Sequence, residues 1–516
     1  MANKNTFRSA SGALLPAANA LNAAGAPAYA LPAKHALAQY AVTGCFNSTF
    51  YASAEAQVKK VVDLAYEAPP EFVAKTAIYA RERGYMKDSP ALLCAVLSIA
   101  EPSLCAAIFP RVIDDVKMLR NFVQMVRSGV TGRKSLGTAP KRWIKNWLEA
   151  RSEDALFRGS IGQSPSLVDV VKMVHPKPAN DERRAFYGYL LNREFRAHHL
   201  PEIVKALEAF KLGSSQVVPD VPFQMLTALA LSEDQWAAIA KNSSWQATRM
   251  NLNTFARHGV FKRHRMVELI AQRLRDATAV RQARAFPYQL FAAFRSCNDN
   301  VPEPVLDALQ DAMEHSIHNV PTVGGKAYVL VDVSGSMQDP ITGHRKGATS
   351  KISCIDGAAM VAAAILRKNP SAEVIPFAEN VRKLRLNPRD SVLTNAQKLS
   401  SIGGGGTDCS APLRLLNGRK AKGDLVVFVS DNESWVDARQ GSTEVMKQWQ
   451  LFKSRNPNAR LACLDFVPNA TTQAAEREDI LNIGGFSDSV FDLLALFADG
   501  QLESEHWVGE VEKIAI

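Results

Sequence analysis

The sequence lacks several features that would place it in a common class of protein. Its 516 residues contain no uninterrupted apolar run of membrane-spanning length, which argues against an integral membrane protein. Its seven cysteines are widely spaced, with no Cys-x-x-Cys pair, so no zinc site is predicted and reduced thiols in a cytoplasm are expected. It has no Gly-x-x-x-x-Gly-Lys-Ser/Thr sequence, which excludes a P-loop nucleotide site.

The N-terminus has only part of the pattern of a secretion signal. Lys4 and Arg8 precede a small, apolar stretch that ends at Ala28-Tyr29-Ala30. Prolines and asparagines interrupt this stretch, so it lacks the continuous apolar segment of a signal peptide. We predict an N-terminal arm at residues 1–32 that leads into the first helix.

Residues 33–322 are predicted to form an all-α domain. Glu55–Tyr66 places its valines on one helical face, and Pro90–Ala100 is almost wholly apolar, as a buried helix would be. Proline and glycine interrupt the helical pattern repeatedly, and no β-rich segment is visible. Many short helices with tight turns predict stacked antiparallel helix pairs, so we interpret this domain as HEAT-like repeats, although no strict sequence period is present.

The pattern changes near residues 320–325, and residues 323–516 are predicted to form a second domain. A β-branched, apolar run at Lys326–Val331 is typical of a strand buried on both faces. Similar runs lie at Ala372–Phe377, Leu425–Ser430 and Arg460–Phe466. Helical segments separate them, at Ser353–Arg367, Asp408–Leu416 and Ser442–Ser454. This alternation predicts an α/β domain with a doubly wound, mainly parallel sheet.

Hard oxygen donors occur at three places where this sheet would bring loops together. They are Asp332, Ser334, Ser336, Thr407 and Asp431. The first three form an Asp-x-Ser-x-Ser run after the first strand, the threonine follows four glycines, and the last aspartate follows a later strand. Because the loops after parallel strands converge at one crevice, these side chains are expected to meet. With no Cys or His among them, they suit one divalent metal ion, Mg²⁺ or alternatively Mn²⁺, with water completing the shell.

This arrangement resembles the metal-ion-dependent adhesion site of von Willebrand A domains, and the resemblance extends over residues 324–516. It implies that the two serines bind the metal directly, the threonine directly or through water, and the two aspartates mostly through water. It also implies one open position for a carboxylate of an acidic protein ligand. We interpret the neighbouring Asp408 as an N-cap and the four glycines as shaping the threonine loop.

The site is predicted to bind rather than to catalyse. No His or Lys is apparent beside the cluster as a general acid or base. Ser334 also stands where a phosphoaspartyl phosphatase would need a second Asp. A metal-dependent phosphoesterase is therefore the weaker alternative, and we expect that the protein is not an enzyme.

Positive charge is concentrated in the predicted helical domain. Residues 1–322 carry a net charge of +11, and residues 323–516 carry −1. This asymmetry indicates a polyanion partner, with a merely solvated basic surface as the alternative. Basic stretches lie at residues 111–151, 167–184 and 249–284. The candidate RNA contacts within them are Lys141, Arg142, Lys172, His175, Lys177, Arg249, Asn251, Arg257, His258, Lys262 and Arg263.

Aromatic residues in these stretches have two interpretations. Trp143 and Trp147 are four residues apart, so core packing is expected, with the neighbouring lysines and arginines on the other face. Phe255 could stack on an unpaired base, but a core position is expected for it as well.

A basic helical domain followed by an A-type domain resembles the Ro autoantigen, or TROVE, family. The segments that carry the resemblance are Leu37–Tyr51, Leu167–Pro178, Arg249–Phe255 and Asp431–Glu433. One of them departs from the family pattern, because Met250 separates Arg249 from Asn251 where the family has an Arg-Asn-Leu helix. This departure puts the alignment of Arg249 in doubt.

The resemblance implies a ring, or toroid, of helical repeats whose ends are bridged by the A domain. It implies binding of small, structured Y-like RNA on the outer surface and of single-stranded 3′ ends of misfolded RNA in the central hole. It further implies action in RNA quality control or processing, beside a 3′→5′ exoribonuclease. The main alternative is a metal-dependent protein–protein adaptor built on a helical solenoid. No membrane partner is expected.

Overall fold

The chain divides into two units that do not coincide with the two halves of the sequence. The structure is a computed structural model that describes residues 15–44, 46–162, 164–283, 285, 287–318, 320–345, 351–434, 442–485, 488–502 and 506–516. One unit, here called the sheet unit, comprises Met1–Gln57 and Ile317–Lys513. The other, here called the helical unit, comprises Val58–Ser316 and Ile514–Ile516. None of the described helices is long and apolar enough to cross a membrane.

The N-terminal elements belong to the sheet unit. β1 (Ala20–Leu21) and β2 (Pro27–Ala30) pair antiparallel, and β2 also pairs antiparallel with a later strand at Thr471–Thr472. The helix α1 (Ala33–Thr43) buries most of its side chains within the same unit. This differs from the predicted division, in which residues 1–32 were an arm and the helical domain began at residue 33. The pairing that ties β2 to the C-terminal half leaves no signal in the local sequence pattern.

The helical unit consists of consecutive short helices, as predicted. They are α2 (Ala54–Glu67), α3 (Pro70–Glu82), α4 (Asp88–Ala100), α5 (Pro102–Val112), α6 (Val116–Arg127), α7 (Thr138–Glu149), α8 (Glu153–Gly159), α9 (Leu167–Val174), α10 (Asp181–Leu190), α11 (Glu202–Lys211), α12 (Glu233–Asn242), α13 (Trp245–Met250), α14 (Leu252–Arg257), α15 (Met266–Arg275), α16 (Ala277–Ala283), α17 (Pro287–Ser296) and α18 (Glu303–His315). The first of them begins within the sheet unit. Neighbours in sequence pack on each other, for example α3 on α4 and α17 on α18.

Local sequence signals explain where several of these helices begin. Asp115 accepts a hydrogen bond from the amide of Met118 at 2.7 Å and so caps α6. Ser166 and Asp169 form a capping box at the start of α9. The tryptophan pair of α7 is buried, as predicted, and the Trp147 indole donates to the carbonyl of Ile113. The short helices are thus set by caps and held together by their apolar faces.

The C-terminal half forms the predicted α/β architecture. Its strands are β3 (Ala327–Asp332), β4 (Glu373–Phe377), β5 (Leu425–Ser430), β6 (Arg460–Asp465), β7 (Thr471–Thr472) and β8 (Ile480–Gly484). Its helices are α19 (Cys354–Lys368), α20 (Val392–Ser400), α21 (Ala411–Gly418), α22 (Glu444–Arg455), α23 (Asp488–Ala498) and α24 (His506–Glu512). Four strands lie within two residues of their predicted bounds. The sequence pattern missed β8, and α21 begins three residues later than predicted.

The main sheet is parallel throughout, in the order β4-β3-β5-β6-β8. Every residue of β3 and β5 is buried, which accounts for their continuous apolar sequences. The chain passes from β3 to β4 on one side and later returns to β5 on the other side of β3. The strand order therefore reverses between β3 and β5, and the loops after these two strands flank the resulting crevice.

Candidate metal centre and nucleic-acid contacts

Asp332 is the last residue of β3 and lies at this crevice with no exposed surface. One carboxylate oxygen, Oδ1, accepts a hydrogen bond from the amide of Ser334 at 2.8 Å. The other, Oδ2, accepts from the hydroxyl of Ser430, at the end of β5, at 2.7 Å. The carboxylate is therefore held between the ends of the two central strands.

The two serines lie beside this carboxylate. Ser334 and Ser336 are almost fully buried, and their hydroxyl oxygens are 3.3 Å apart. Ser336 also forms a hydrogen bond with the carboxylate of Asp431, which directly follows β5. The structure thus brings together the predicted donors from the first and third loops.

The loop that carries Thr407 is attached to the serine loop by its backbone. Gly404 has a φ of +106° and donates to the carbonyl of Val333 at 2.9 Å, and the carbonyl of Gly405 accepts from Gly335 at 3.0 Å. Only glycine adopts such a conformation readily, which confirms the predicted shaping role. Thr407 follows this attachment and is 3% exposed.

Asp408, predicted as an N-cap, lies just before the actual N-cap of α21. Its carboxylate accepts from both the amide and the hydroxyl of Ser410, at 3.0 and 2.7 Å, and pairs with Arg414. Ser410 is the N-cap residue and makes no side-chain cap hydrogen bond. The prediction was therefore wrong about the position, while the role of the carboxylate in fixing the start of the helix is similar.

The electrostatics of the crevice favour a cation. Burial raises the pKa of Asp332. Burial and then the charge of Asp332 raise the pKa of Asp431 well above its usual range, because two carboxylates in one dry site destabilise each other's charged form. Within the described residues, no three or more His, Cys, Asp or Glu side chains form a metal-binding group. The residues present fit a metal shell that combines carboxylates with hydroxyls, a donor set suited to Mg²⁺ or Mn²⁺.

Residues behind the site fix the loop after β5. Asn432 has a φ of +63°, and its amide group donates to the carboxylate of Asp465 at 3.2 Å. Gln39 of α1 donates to the same carboxylate oxygen at 2.9 Å. From the N-terminal hairpin, Asn22 donates to the carbonyl of Ser434 at 2.5 Å. The loop is thus braced by residues from the first part of the chain.

The helical unit presents most of the predicted RNA contacts to solvent. The exposed ones are Lys141, Arg142, Lys172, His175, Lys177, Arg257 and Lys262. Helix α9, with Lys172, packs against both α6 and α7. A cavity of about 680 Å³ beside it is lined by Lys172 and by Arg127 of α6, which the sequence analysis did not single out. Exposed cations of α6 and α9 therefore lie beside the same cavity of the helical unit.

The remaining candidates have partners within the helical unit. Arg249 donates to the carbonyl of Gln289 in α17 at 2.7 Å, and burial lowers its pKa. Arg263 pairs with two carboxylates at the start of α12. The His258 ring stacks on an indole of α12 with a centroid distance of 4.0 Å, and the Asn251 amide donates to a backbone carbonyl. Phe255 has no exposed surface, in agreement with its expected core role. These residues hold helices together.

Sequence reasoning missed two residues at the candidate metal site. Ser430 donates to Asp332 but was interpreted only as the end of a strand. Tyr51 lies beside Ser336, although it comes from the N-terminal part of the chain. The Leu37–Tyr51 segment was noted only for its family resemblance, because nothing in its own pattern indicates a metal site.

Family comparisons match both parts of the chain. A model of the Ro60 vWA domain matches residues 326–498, and a model of the TROVE domain matches residues 219–337. The chain is 25% identical to the RNA-binding protein RO60 of Deinococcus radiodurans, over 93% of this chain and 95% of that protein. It is 20% identical to the RNA-binding protein RO60 of Caenorhabditis elegans, over 46% of this chain and 37% of that protein.

A solved structure has the same fold. The crystal structure of the RO (RSR) protein of Deinococcus radiodurans superposes with a TM-score of 0.63 at 21% identity, covering 91% of this chain and all of that one. The order of the two matched domains also agrees with the order of basic helices and parallel sheet described above. The chain belongs to the Ro autoantigen, or TROVE, family and carries a C-terminal von Willebrand A domain.

Proposed function

We propose that the helical unit binds RNA, mainly through phosphates, and that the sheet unit holds one divalent metal ion without catalysing a reaction. The observation that carries the RNA proposal is the charge of the helical unit. It has 36 Lys and Arg against 27 Asp and Glu, a net charge of +9, whereas the sheet unit has +1. Two family relatives are named RNA-binding proteins, which supports the same assignment.

The proposed RNA ligands are small, structured noncoding RNAs of the Y type and single-stranded 3′ ends of misfolded RNAs. Phosphate contacts from exposed lysines give affinity without dependence on base sequence. We propose that the protein acts in the cytoplasm in RNA quality control or processing, with a 3′→5′ exoribonuclease as a partner.

The proposal that the metal site does not catalyse a reaction rests on the small volume of the cavity beside it. The cavity that adjoins Ser336 and Asp431 has a volume of about 10 Å³. On this side of the candidate site there is room for about one water molecule and not for a phosphodiester. His344 does lie in the next loop, 3.4 Å from Asp339, so a potential acid–base group is closer than the sequence indicated. Metal-dependent RNA cleavage that disappears in Ser334→Ala would contradict the proposal.

The direct test is the salt dependence of RNA affinity. Fluorescence anisotropy of the full chain with a labelled single strand should show log affinity falling linearly with log salt, by about 0.7 per phosphate contact. RNA with an unpaired 3′ tail should bind more tightly than a blunt duplex. A salt-independent affinity would contradict RNA binding through phosphates, and the adaptor hypothesis would then be the better explanation.

A further inference from the structure

The segment that follows α1 lies against the loop that follows the metal-site serines. The Asn47 amide donates to the carbonyl of Thr342 at 2.7 Å, and the amide of His344 donates to the carbonyl of Ser48 at 2.7 Å. Gly343, between these contacts, has a φ of +68°, and a Cβ there would lie 2.8 Å from the Ser48 carbonyl oxygen. The two stretches therefore fit closely along their backbones.

The same segment is braced from its other side. The buried Gln57 amide donates to the carbonyl of Asn47 at 2.7 Å and to the hydroxyl of Thr49 at 3.4 Å. The amide of Thr49 donates to the carbonyl of Ala52 at 2.9 Å. These bonds give the segment a defined conformation and direct the residues at its end toward the metal site.

Tyr51 stands at the end of this segment and faces the metal-site residues. Its phenol is a hydrogen-bond partner of Ser336. Its ring packs edge-on against Phe50, with 4.9 Å between centroids. The small cavity noted above is lined by both aromatic residues and by Ser336 and Asp431. This cavity as a whole has room for about one water molecule.

We propose that Asn47–Tyr51 is a built-in cap of the metal centre and that Tyr51 supplies a hydrogen-bonding hydroxyl to it. The cap occupies the face that an A-type site would present to a partner's carboxylate, so this chain supplies its own hydroxyl group there. The inference rests on the metal part of the proposed function. It also changes the expected behaviour of the site, because the ion fastens an N-terminal segment to the C-terminal domain in place of an external acidic ligand.

Calorimetry of Mn²⁺ binding to the full chain tests the contribution of the hydroxyl. Tyr51→Phe should weaken Mn²⁺ affinity about tenfold, the lower range for losing a group that orients metal ligands. Tyr328→Phe is the matched control, because its hydroxyl donates to the carbonyl of Lys422 at the opposite end of β3. Equal Mn²⁺ affinity in the Tyr51 variant, the control and the unaltered chain would overturn the role of the hydroxyl.

Acetate binding to the Mn²⁺-loaded chain tests the cap itself. Water-proton relaxation by bound Mn²⁺ should be insensitive to acetate in the unaltered chain. In Tyr51→Ala this relaxation should be larger, and it should fall as acetate displaces water from the bound Mn²⁺. Acetate binding of equal strength in both would overturn the cap. Asp332→Asn separates this failure from failure of the metal site: if that variant retains Mn²⁺, the ligand assignment is wrong regardless of the cap.

Discussion

The two units of the chain differ in which charged side chains they bury and which they expose. Among the described residues, every buried Asp and Glu belongs to the sheet unit, and several of them surround the crevice between β3 and β5. The helical unit buries one charged side chain in the described residues, Arg183, which pairs with Glu153 at 2.6 Å, and keeps its other cations at least partly accessible. A buried anionic site selects a small cation, whereas an accessible cationic surface suits a large polyanion. The two units therefore differ in the sign of the charge that each offers to a ligand.

The division of the chain sharpens this comparison. Moving residues 1–57 from the helical part to the sheet unit removes two of the excess positive charges from the helical part, yet the contrast remains. It also means that the candidate metal site depends on the N-terminal residues, because Gln39 and Asn22 brace the loop that carries Asp431. The sheet unit is therefore built from both ends of the chain.

The largest expected effect concerns the buried anions. Asp332→Asn keeps the size of the side chain but removes the charge that a cation needs, so calorimetry with Mg²⁺ or Mn²⁺ should show no measurable binding. Asp390→Asn is a suitable control, because that carboxylate pairs with Lys398 on the surface of the same unit. RNA affinity should be unchanged in both variants. Retained metal binding in the first variant would refute the site.

A second expected effect concerns the core of the helical unit. Phe255→Ala removes a side chain with no exposed surface and should lower the free energy of unfolding by about 3–5 kcal/mol in urea. Met250→Ala, at a side chain that is 73% exposed, should change it little. A Phe255 variant that is fully stable but binds RNA poorly would instead support a base-stacking role.

The sequence predicted the elements that depend on a local pattern, and it missed those that depend on contacts between distant parts of the chain. The strands β3 to β6 followed from apolar runs, and the convergence of the loops that carry the candidate metal-site residues followed from the rule that loops after parallel strands meet. The strand β8 was missed because its apolar run is interrupted by Asn482, whose side chain bonds within the fold to Thr472 and Glu476. Tyr51 was missed because its position depends on backbone pairing with a loop near the other end of the chain.

A third expected effect is a pH dependence of stability that arises from His35 in the sheet unit. Burial lowers the pKa of His35 to about 4, against a weaker opposing effect of its hydrogen bond with the carbonyl of Asn482. The unfolded chain therefore binds a proton that the folded chain does not, between about pH 6.5 and pH 4. Stability due to neutral His35 is complete above this window and falls by up to about 3 kcal/mol as the pH drops through it.

The measurement must separate His35 from a neighbour with the opposite sign. Burial raises the pKa of Glu476 to about 7, so its contribution is present at low pH and is lost as the pH rises from about 4.5 to 7. Relative to His35→Gln, the unaltered chain should lose stability on acidification. Relative to Glu476→Gln, the unaltered chain should gain stability on acidification. A pH-independent difference between the unaltered chain and His35→Gln would contradict the assignment.

The smallest expected effects per residue come from the accessible cations. These effects test whether RNA affinity depends on the charges of the helical unit and not on those of the sheet unit. Lys172→Ala, Arg257→Ala and Lys262→Ala each remove an exposed charge from the helical unit. Each should weaken RNA binding by about 1 kcal/mol or less, since exposed charges are screened by water and salt. The triple variant should also reduce the salt slope by about 2, because roughly 0.7 is lost per contact. The loss should be similar for unrelated sequences, as expected for phosphate contacts. Lys383→Ala removes an exposed charge from the sheet unit and should leave both affinity and slope unchanged. Equal losses from the Lys383 variant would show that the polyanion does not distinguish the units, and the charge difference between them would then have no role in binding.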